Sequence, residues 1–449
     1  MLKLAVFLIS ISAAAAAPQD APLPWKIGVA RVSITPEQPI WMAGYDAREK
    51  PFEAVESDIF AKALALDDGA GRRAVLVTAD VSGFSAPVAA AVCAAITERT
   101  RLERRQILLN ASHNHAGPLL SVEPRPRPKM SDAEAAATVA YTRALAGKIA
   151  GAAAEALARL EPARLSWATG VVHFPMNRRE PTPNGIILGV NPRGPVDRSV
   201  PVLRVEGPDG RPRAIVFGAA CHNTTLTANN WRIAGDYAGY AQALVETRYP
   251  GAQAMFVQGF GADANPYPRG TLELAREHGA TLGREVCRVA DGKLESIAGE
   301  LNTVFDTVEL PFAQPSKQEL EKRSRGASWE TATARALLET VARGEQPARH
   351  YTAPVAVWQL GGVTLVAMSG EVVGDYAGLV TRALGPLNLW LAGYSNEVFG
   401  YLPSARILEE GGYETRGITP KGWFTPDTQD VVVRKIAELA ARAGRKAVK

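Results

Sequence analysis

The chain has 449 residues, 47% hydrophobic and 21% charged, a composition that allows a large buried core and excludes the disordered and fibrous classes. Its 50 Lys and Arg against 46 Asp and Glu leave a net charge of +4, scattered along the chain, which argues against the basic stripe of a nucleic-acid binder. Three widely spaced cysteines, Cys93, Cys221 and Cys287, exclude a disulfide framework and a Cys-rich zinc module, so stability has to come from packing.

In chain order, the N-terminus MLKLAVFLISISAAAAAPQDAP reads as a secretory signal peptide over residues 1–17, with small residues suited to cleavage near Ala17. The mature chain is therefore expected to be secreted or periplasmic. The apolar stretch is about 14 residues, short of the roughly 20 that span a bilayer, and no Cys follows it to carry a lipid anchor. No transmembrane segment is expected. Strand-like runs follow at Arg73 to Asp80, Gln106 to His113, Arg213 to His222, Ala254 to Gly259, Val363 to Gly370 and Leu387 to Tyr394. Helix-like runs fall at Ala86 to Thr97, Asp132 to Leu160, Tyr237 to Tyr249, Leu272 to Val289, Lys317 to Arg343 and Asp430 to Arg442. The mixture predicts sheets buried by flanking helices, α/β or α+β; periodicity leaves the strand order open. No linker divides residues 24–449. The proline-rich SVEPRPRPKM (Ser121 to Met130) precedes a helix start with Ser131 and Glu134 in capping-box spacing, and reads as a loop over a site mouth.

Several of the most apolar strands run into short polar turns: NASHNHAGP, ACHNTT, QGFGADANP and SGEVVGDY. Turns at such strand ends converge on one crevice, so the four are candidates for a single site. His113 and His115 have H-x-H spacing, and with the strand continuing through them both rings face the same side. His222 ends the second strand, and Glu371 closes a strand expected to be buried, where a carboxylate must be paired, hydrogen-bonded or metal-bound. Each also has a structural reading: hydrogen-bonded histidines, and the acidic first turn of a helix for Glu371. Together, two imidazoles and a carboxylate are the ligand set of a catalytic zinc site that keeps an open position for water. His173, His278 and His350 are assigned to structure or surface. Asp263 and Asn265 read as turn-forming supports, and Cys221 as a small buried residue. A G-x-S-x-G elbow, a Walker loop and a G-x-G-x-x-G fingerprint are all missing, which disfavours serine-hydrolase and nucleotide chemistry.

The motifs NASHNHAGP, MNRRE, AACHNTT with GDYAGYA, QGFGADANP, SGEVVGDYA and YSNEVFGYLPSARILEEGGYE, with an opening GVARVSITP and MAGYD, occur in the order seen in the neutral, non-lysosomal ceramidases, and the chain from about Ile27 to Tyr413 resembles that family. The resemblance implies an α/β fold of mixed sheets in a single large catalytic domain over 24–449. It also implies Zn2+ as cofactor, held by His113, His222, Glu371 and Tyr401, with His115, Arg178 and Tyr413 contacting substrate. Read without the resemblance, Arg178 belongs with Asn177, Arg179 and Glu180 to a solvated charged loop. Where the family carries a Ser-Asn pair, this chain has Gly259 and Phe260, which excludes a serine nucleophile at that point. The chain ends at Lys449, and the family's C-terminal β-sandwich domain is expected to be absent. The implied activity is zinc-dependent cleavage of an N-acyl, ceramide-like amide of a small-molecule or lipid-like substrate. The alternatives are a zinc hydrolase of another amide or ester, a two-metal phosphoesterase drawing on Asp80, Asp236 and Asp263, and a non-catalytic binding protein.

Overall fold

Both faces of the central strands are apolar, and each face meets a different layer. In the strand Arg73–Ala79, Val75, Val77 and Ala79 join one buried cluster, whereas Ala74 and Leu76 join another, the two-sided burial that near-continuous apolar runs imply. The computed structural model describes residues 23–124, 127–325, 329–418 and 420–446; the signal peptide expected over 1–17 lies outside them. A large mixed sheet runs, edge to edge, through Gln253–Gln258, Pro212–Ala219, Ser199–Glu206, Glu161–Val171, Trp25–Ser33, Phe60–Asp67, Arg73–Ala79 and Ile107–Ala111, with Glu295–Ile297 paired to Glu161–Val171. A second sheet orders Leu301–Pro311, His350–Leu360, Val363–Met368 and Leu389–Ala392. Between the sheets lies an apolar layer that includes Trp25, Leu66, Trp167, Trp358, Leu365 and Trp390.

Helices close the outer faces. Ala86–Thr100 and Asp132–Ala158 cover one half of the large sheet, Asp236–Arg248 and Leu272–Ala290 cover the other half, and Thr428–Ala443 covers the second sheet. The result is an α/β fold of mixed sheets buried by flanking helices. The capping box forms at the start of Asp132–Ala158: Glu134 N–H donates to Ser131 Oγ at 3.3 Å and Ser131 N–H to Glu134 Oε2 at 2.8 Å. This alanine-rich helix lies so close to the sheet that a Cβ on Gly28 would fall 1.9 Å from the Ala156 carbonyl oxygen.

The two edges of the large sheet curl towards each other. Asn110, on one edge strand, accepts from Gln258 N–H at 2.8 Å through its side-chain oxygen, and its Nδ2 donates to the Gly393 carbonyl of the second sheet's last connection at 2.8 Å. That one buried amide gathers the ends of three strands, which is why turns far apart in sequence meet.

Two expectations are corrected. The helix-like run Lys317 to Arg343 is two helices, Lys317–Arg323 and Trp329–Ala342. The intervening sequence contains Ser324 and Gly326, poor helix formers, and Ser324 Oγ donates to the Glu321 carbonyl at 2.8 Å as the first helix ends. The described residues of the segment Ser121 to Met130 do not line the cavity of the site described below. Ser121, Val122, Arg127 and Met130 line a different groove with Tyr351, Glu397 and Phe399. All three cysteines are buried free thiols, and no helix among the described residues is long and apolar enough to cross a membrane.

Candidate metal centre

The strand Ile107–Ala111 stops before its histidines, so the same-side argument for a continuing strand does not hold. His113 has a φ of 56°, a left-handed conformation uncommon outside glycine but one in which Asn, Asp and His are enriched. The turn is tied down by Ser112 N–H to the Ala79 carbonyl at 3.0 Å, Asn114 N–H to the Val81 carbonyl at 3.1 Å and His115 N–H to the Asn223 carbonyl at 3.3 Å. The last of these joins the first His-bearing turn to the second. The rings converge as a result: His113 lies 4.5 Å from His115 and 4.6 Å from His222 between centroids, both edge-on. His113, His115 and His222 form a buried group whose ligand atoms all lie within 4.8 Å of one another, able to hold a metal ion.

Glu371 completes the cluster. Its strand, Glu371–Val372, pairs in parallel with Tyr401–Leu402 and sets Glu371 opposite Tyr401. Glu371 Oε2 is 3.3 Å from both His113 Nε2 and His222 Nε2. The carbonyls of Ser82 and Gly261 lie 2.7 and 3.1 Å from the Nδ1 atoms of His113 and His222. A carbonyl can only accept, so each Nδ1 carries the proton and each Nε2 presents a lone pair. Three lone-pair atoms therefore face one another, and His222 Nε2 and Glu371 Oε2 are buried without a hydrogen-bond partner. Such an arrangement is repulsive until a cation occupies the space between. The donor set, imidazole and carboxylate on a dry floor, suits zinc.

Burial, the Arg178 charge and His113 press His222 down to about 3. Burial and the neighbouring imidazoles hold His115 well below its ordinary 6.5. Burial raises the Glu371 carboxyl, but contact with His113 and His222 outweighs it and keeps the group well below the usual carboxylate range. A neutral His222 beside an ionised Glu371 is the protonation state that a pair of metal ligands needs.

Arg178 and Arg179 are buried on the strand Pro175–Thr182. Arg178 Nη2 donates to Tyr401 Oη at 3.0 Å and its Nε to Glu414 Oε1 at 2.8 Å, while Arg179 Nη1 donates to Glu414 Oε2 at 2.6 Å. Arg178 is thus not part of a solvated loop; its guanidinium lies 5.5 Å from the rings of both Tyr401 and Tyr413. Asp263 supports the floor from below, accepting from Gly374 N–H at 2.7 Å and Asn177 Nδ2 at 3.0 Å, and burial raises it to about 6. Asn265 Oδ1 accepts from Thr224 at 3.3 Å. A cavity of about 460 Å³ opens over the cluster, bordered by His115, His222, Arg178, Tyr401 and Tyr413.

The four polar turns meet here: His113, His115, His222 and Glu371 form the cluster, and Arg178, Tyr401 and Tyr413 border the cavity beside it. The family described as neutral/alkaline non-lysosomal ceramidase, N-terminal, matches residues 25–267. The chain belongs to that family. A crystal structure of neutral ceramidase from Pseudomonas aeruginosa superposes with a TM-score of 0.71 at 20% identity, over 96% of this chain and 76% of that one. A structure of ceramidase complexed with C2 gives 0.73 at 19% identity, over 95% and 76%. At these identities the likeness is one of fold. No curated protein sequence matches the chain. Family membership makes the chain one of a family of hydrolases, with a buried His triad able to bind metal.

The remaining histidines lie elsewhere: His278 Nε2 meets the Pro268 carbonyl at 2.7 Å, His350 pairs with exposed Glu309, and His173 is exposed. Gly259 N–H donates to the Ala219 carbonyl and Phe260 is core. Sequence reasoning missed Glu414, the shared counter-ion of Arg178 and Arg179. It also missed Tyr394, whose ring lies 4.3 Å from His113 with a buried, unpartnered hydroxyl, and Tyr45, edge-on to His115 at 4.9 Å. The motif quoted for the family begins at Tyr394 and ends on Glu414, so both were in view, but only their distant partners reveal their roles.

Proposed function

We propose that the chain is a zinc-dependent hydrolase of an N-acyl amide, with water as the nucleophile and His113, His222, Glu371 and Tyr401 as metal ligands. The observation that carries this reading is the convergence of the His113 and His222 Nε2 lone pairs on Glu371 Oε2 at 3.3 Å, with His222 Nε2 and Glu371 Oε2 buried without a hydrogen-bond partner. Bound there, zinc supplies Lewis acidity, lowering the pKa of water towards about 7. In the reaction, water adds to the acyl carbon, the C–N bond breaks with its electron pair moving to nitrogen, and the nitrogen takes up a proton. His115 borders the cavity with its Nε2 2.9 Å from His113 Nε2; with His113 engaged by a metal, that Nε2 would be free to take the proton from water and pass it to the departing nitrogen. Arg178 and Tyr413 supply donors to the oxygen on which negative charge develops. The Ser82 and Gly261 carbonyls hold the tautomers throughout.

The two-metal reading has less support, since Asp80, Asp236 and Asp263 are each engaged by backbone N–H donors. The N-terminal sequence supports a secreted or periplasmic location, and 24–449 is proposed as the catalytic unit.

Elemental analysis of the purified mature chain, with His113→Ala and Glu371→Ala alongside, tests the reading. We expect about one zinc per chain, lost in both variants together with hydrolysis of N-acyl amides. Stoichiometric zinc in either variant would sink the ligand assignment, and no turnover on any amide by the zinc-loaded chain would sink the hydrolase.

A further inference from the structure

The arginines around the site differ in one respect. Arg48 is spent on the carbonyls of Ala43, His115 and Asn230, and Arg178 and Arg179 are neutralised by Glu414. Arg269 makes a single hydrogen bond among the described residues, to Tyr45 Oη at 3.1 Å, and pairs with no carboxylate there. It lines the cavity over the metal cluster, and no acidic side chain lines that cavity. Tyr45 fixes its place: the phenol donates to the Leu226 carbonyl at 3.0 Å, so it accepts from Arg269, and its ring packs edge-on against His115. A guanidinium with no direct ion pair among the described residues, its charge felt only at longer range by buried Asp236, thus stands one tyrosine away from the proposed proton-transfer residue.

Another part of the cavity is apolar. Met176, Leu188, Val190, Pro266 and Tyr267 line it, and Leu188 and Tyr267 remain 52% and 48% exposed at its mouth. An exposed apolar strip beside a site is a binding surface by default.

We infer that the substrate is an anionic amphiphile, an N-acyl amino acid, whose carboxylate pairs with Arg269 and whose acyl chain lies along Met176, Leu188 and Tyr267. This rests on the amide-hydrolase reading and specifies its substrate. The carboxylate of such a molecule is only a few bonds from the scissile carbonyl, on the amine side, a spacing suited to an arginine separated from His115 by one ring. A guanidinium takes a carboxylate in two parallel hydrogen bonds, and Arg269 is the arginine lining the cavity that has no ion pair among the described residues. A neutral amide leaves Arg269 unpaired under the bound substrate, which disfavours it. The hydrolysis releases a fatty carboxylate and a free amino acid, with the proton balance given above.

The test compares N-lauroylglycine with its neutral analogue N-lauroylglycinamide. Calorimetry on the metal-stripped full chain, where no ion competes for the carboxylate, is expected to show the acid binding about ten- to hundredfold tighter than the amide. Arg269→Leu should erase that ratio and Arg269→Lys should keep part of it. In the zinc-loaded enzyme the kcat/KM ratio of acid to amide should follow the same order. Equal binding of acid and amide, or a preference that survives Arg269→Leu, overturns the inference, and does so even if both compounds are hydrolysed. A preference that depends on Arg269 without any hydrolysis upholds the anchor and overturns the hydrolase reading instead.

Discussion

His115 and His113 are two residues apart, yet their chemistry diverges through their partners. His113 has its Nδ1 proton held by a carbonyl and its Nε2 lone pair aimed at Glu371, whereas His115 Nδ1 is buried without a partner and its Nε2 faces His113. His115→Ala is therefore expected to keep zinc and lose about 10²- to 10⁴-fold in kcat; loss of the metal in that variant would move His115 into the ligand set. The same imidazoles set the acid response. His222 titrates near 3 in the fold against an ordinary 6.5, and His115 is lowered in the same sense. The unfolded chain therefore binds protons below pH 6.5 that the fold refuses, so stability is complete above 6.5 and drains away as pH falls towards 3. Four buried carboxyls that burial raises, Asp263 to about 6 and Asp80, Asp236 and Glu397 with it, work against this as they take up protons in the fold, whereas Glu371 and the ion-paired Asp306 and Glu410, all lowered, add to the two imidazoles. Thermal melts of metal-free protein should show a melting temperature that falls steadily from pH 7 to pH 4, and one that rises on acidification would contradict the buried neutral histidines. The clustered histidines were legible because histidine is scarce, 6 in the chain, and three follow closely on apolar strands. Arg269 and Glu414 were not, because a guanidinium without an ion pair and a shared counter-ion are defined by what surrounds them in space.

At the scale of elements, the short 3₁₀ turn Tyr413–Thr415 is fastened to the strand Pro175–Thr182 by Glu414, which is fully buried against two guanidiniums. Replacing that carboxylate with an amide leaves Arg178 buried without its counter-ion and Arg179 with only half-exposed Glu410 and the Gly411 carbonyl. Breaking a buried pair from one side costs about 3–5 kcal/mol. Glu414→Gln should lower the urea midpoint accordingly and reduce activity, since Arg178 positions Tyr401; an unchanged midpoint would mean that the clamp is dispensable. Most elements could be read from apolar runs and capping signals, as at Ser131 and Glu134. The strand Phe60–Asp67 and the pairing of Glu371 with Tyr401 could not, because pairing is non-local and a two-residue strand has no period. The H-x-H turn shows the same limit: spacing alone favoured a strand, and tertiary hydrogen bonds from Ala79, Val81 and Asn223 imposed a left-handed turn instead.

For the whole molecule, the proposed ligands come from both sheets. His113 and His222 follow strands of the large sheet, while Glu371 follows Val363–Met368 of the second sheet and Tyr401 pairs beside it. A bound ion thus cross-links two layers that otherwise meet through the apolar packing around Trp358 and Trp390 and through Asn110. An ion that binds only the folded arrangement stabilises it by mass action, about 2.7 kcal/mol when free metal stands at a hundred times its Kd. Dialysis against a chelator should therefore lower the melting temperature, and added zinc should restore it. The His113→Ala chain, lacking one ligand, should melt at the same temperature with or without either reagent. If the wild-type chain also ignores both, no ion joins the sheets at this point, and the convergence of lone pairs around Glu371 would need a shared proton to hold it together.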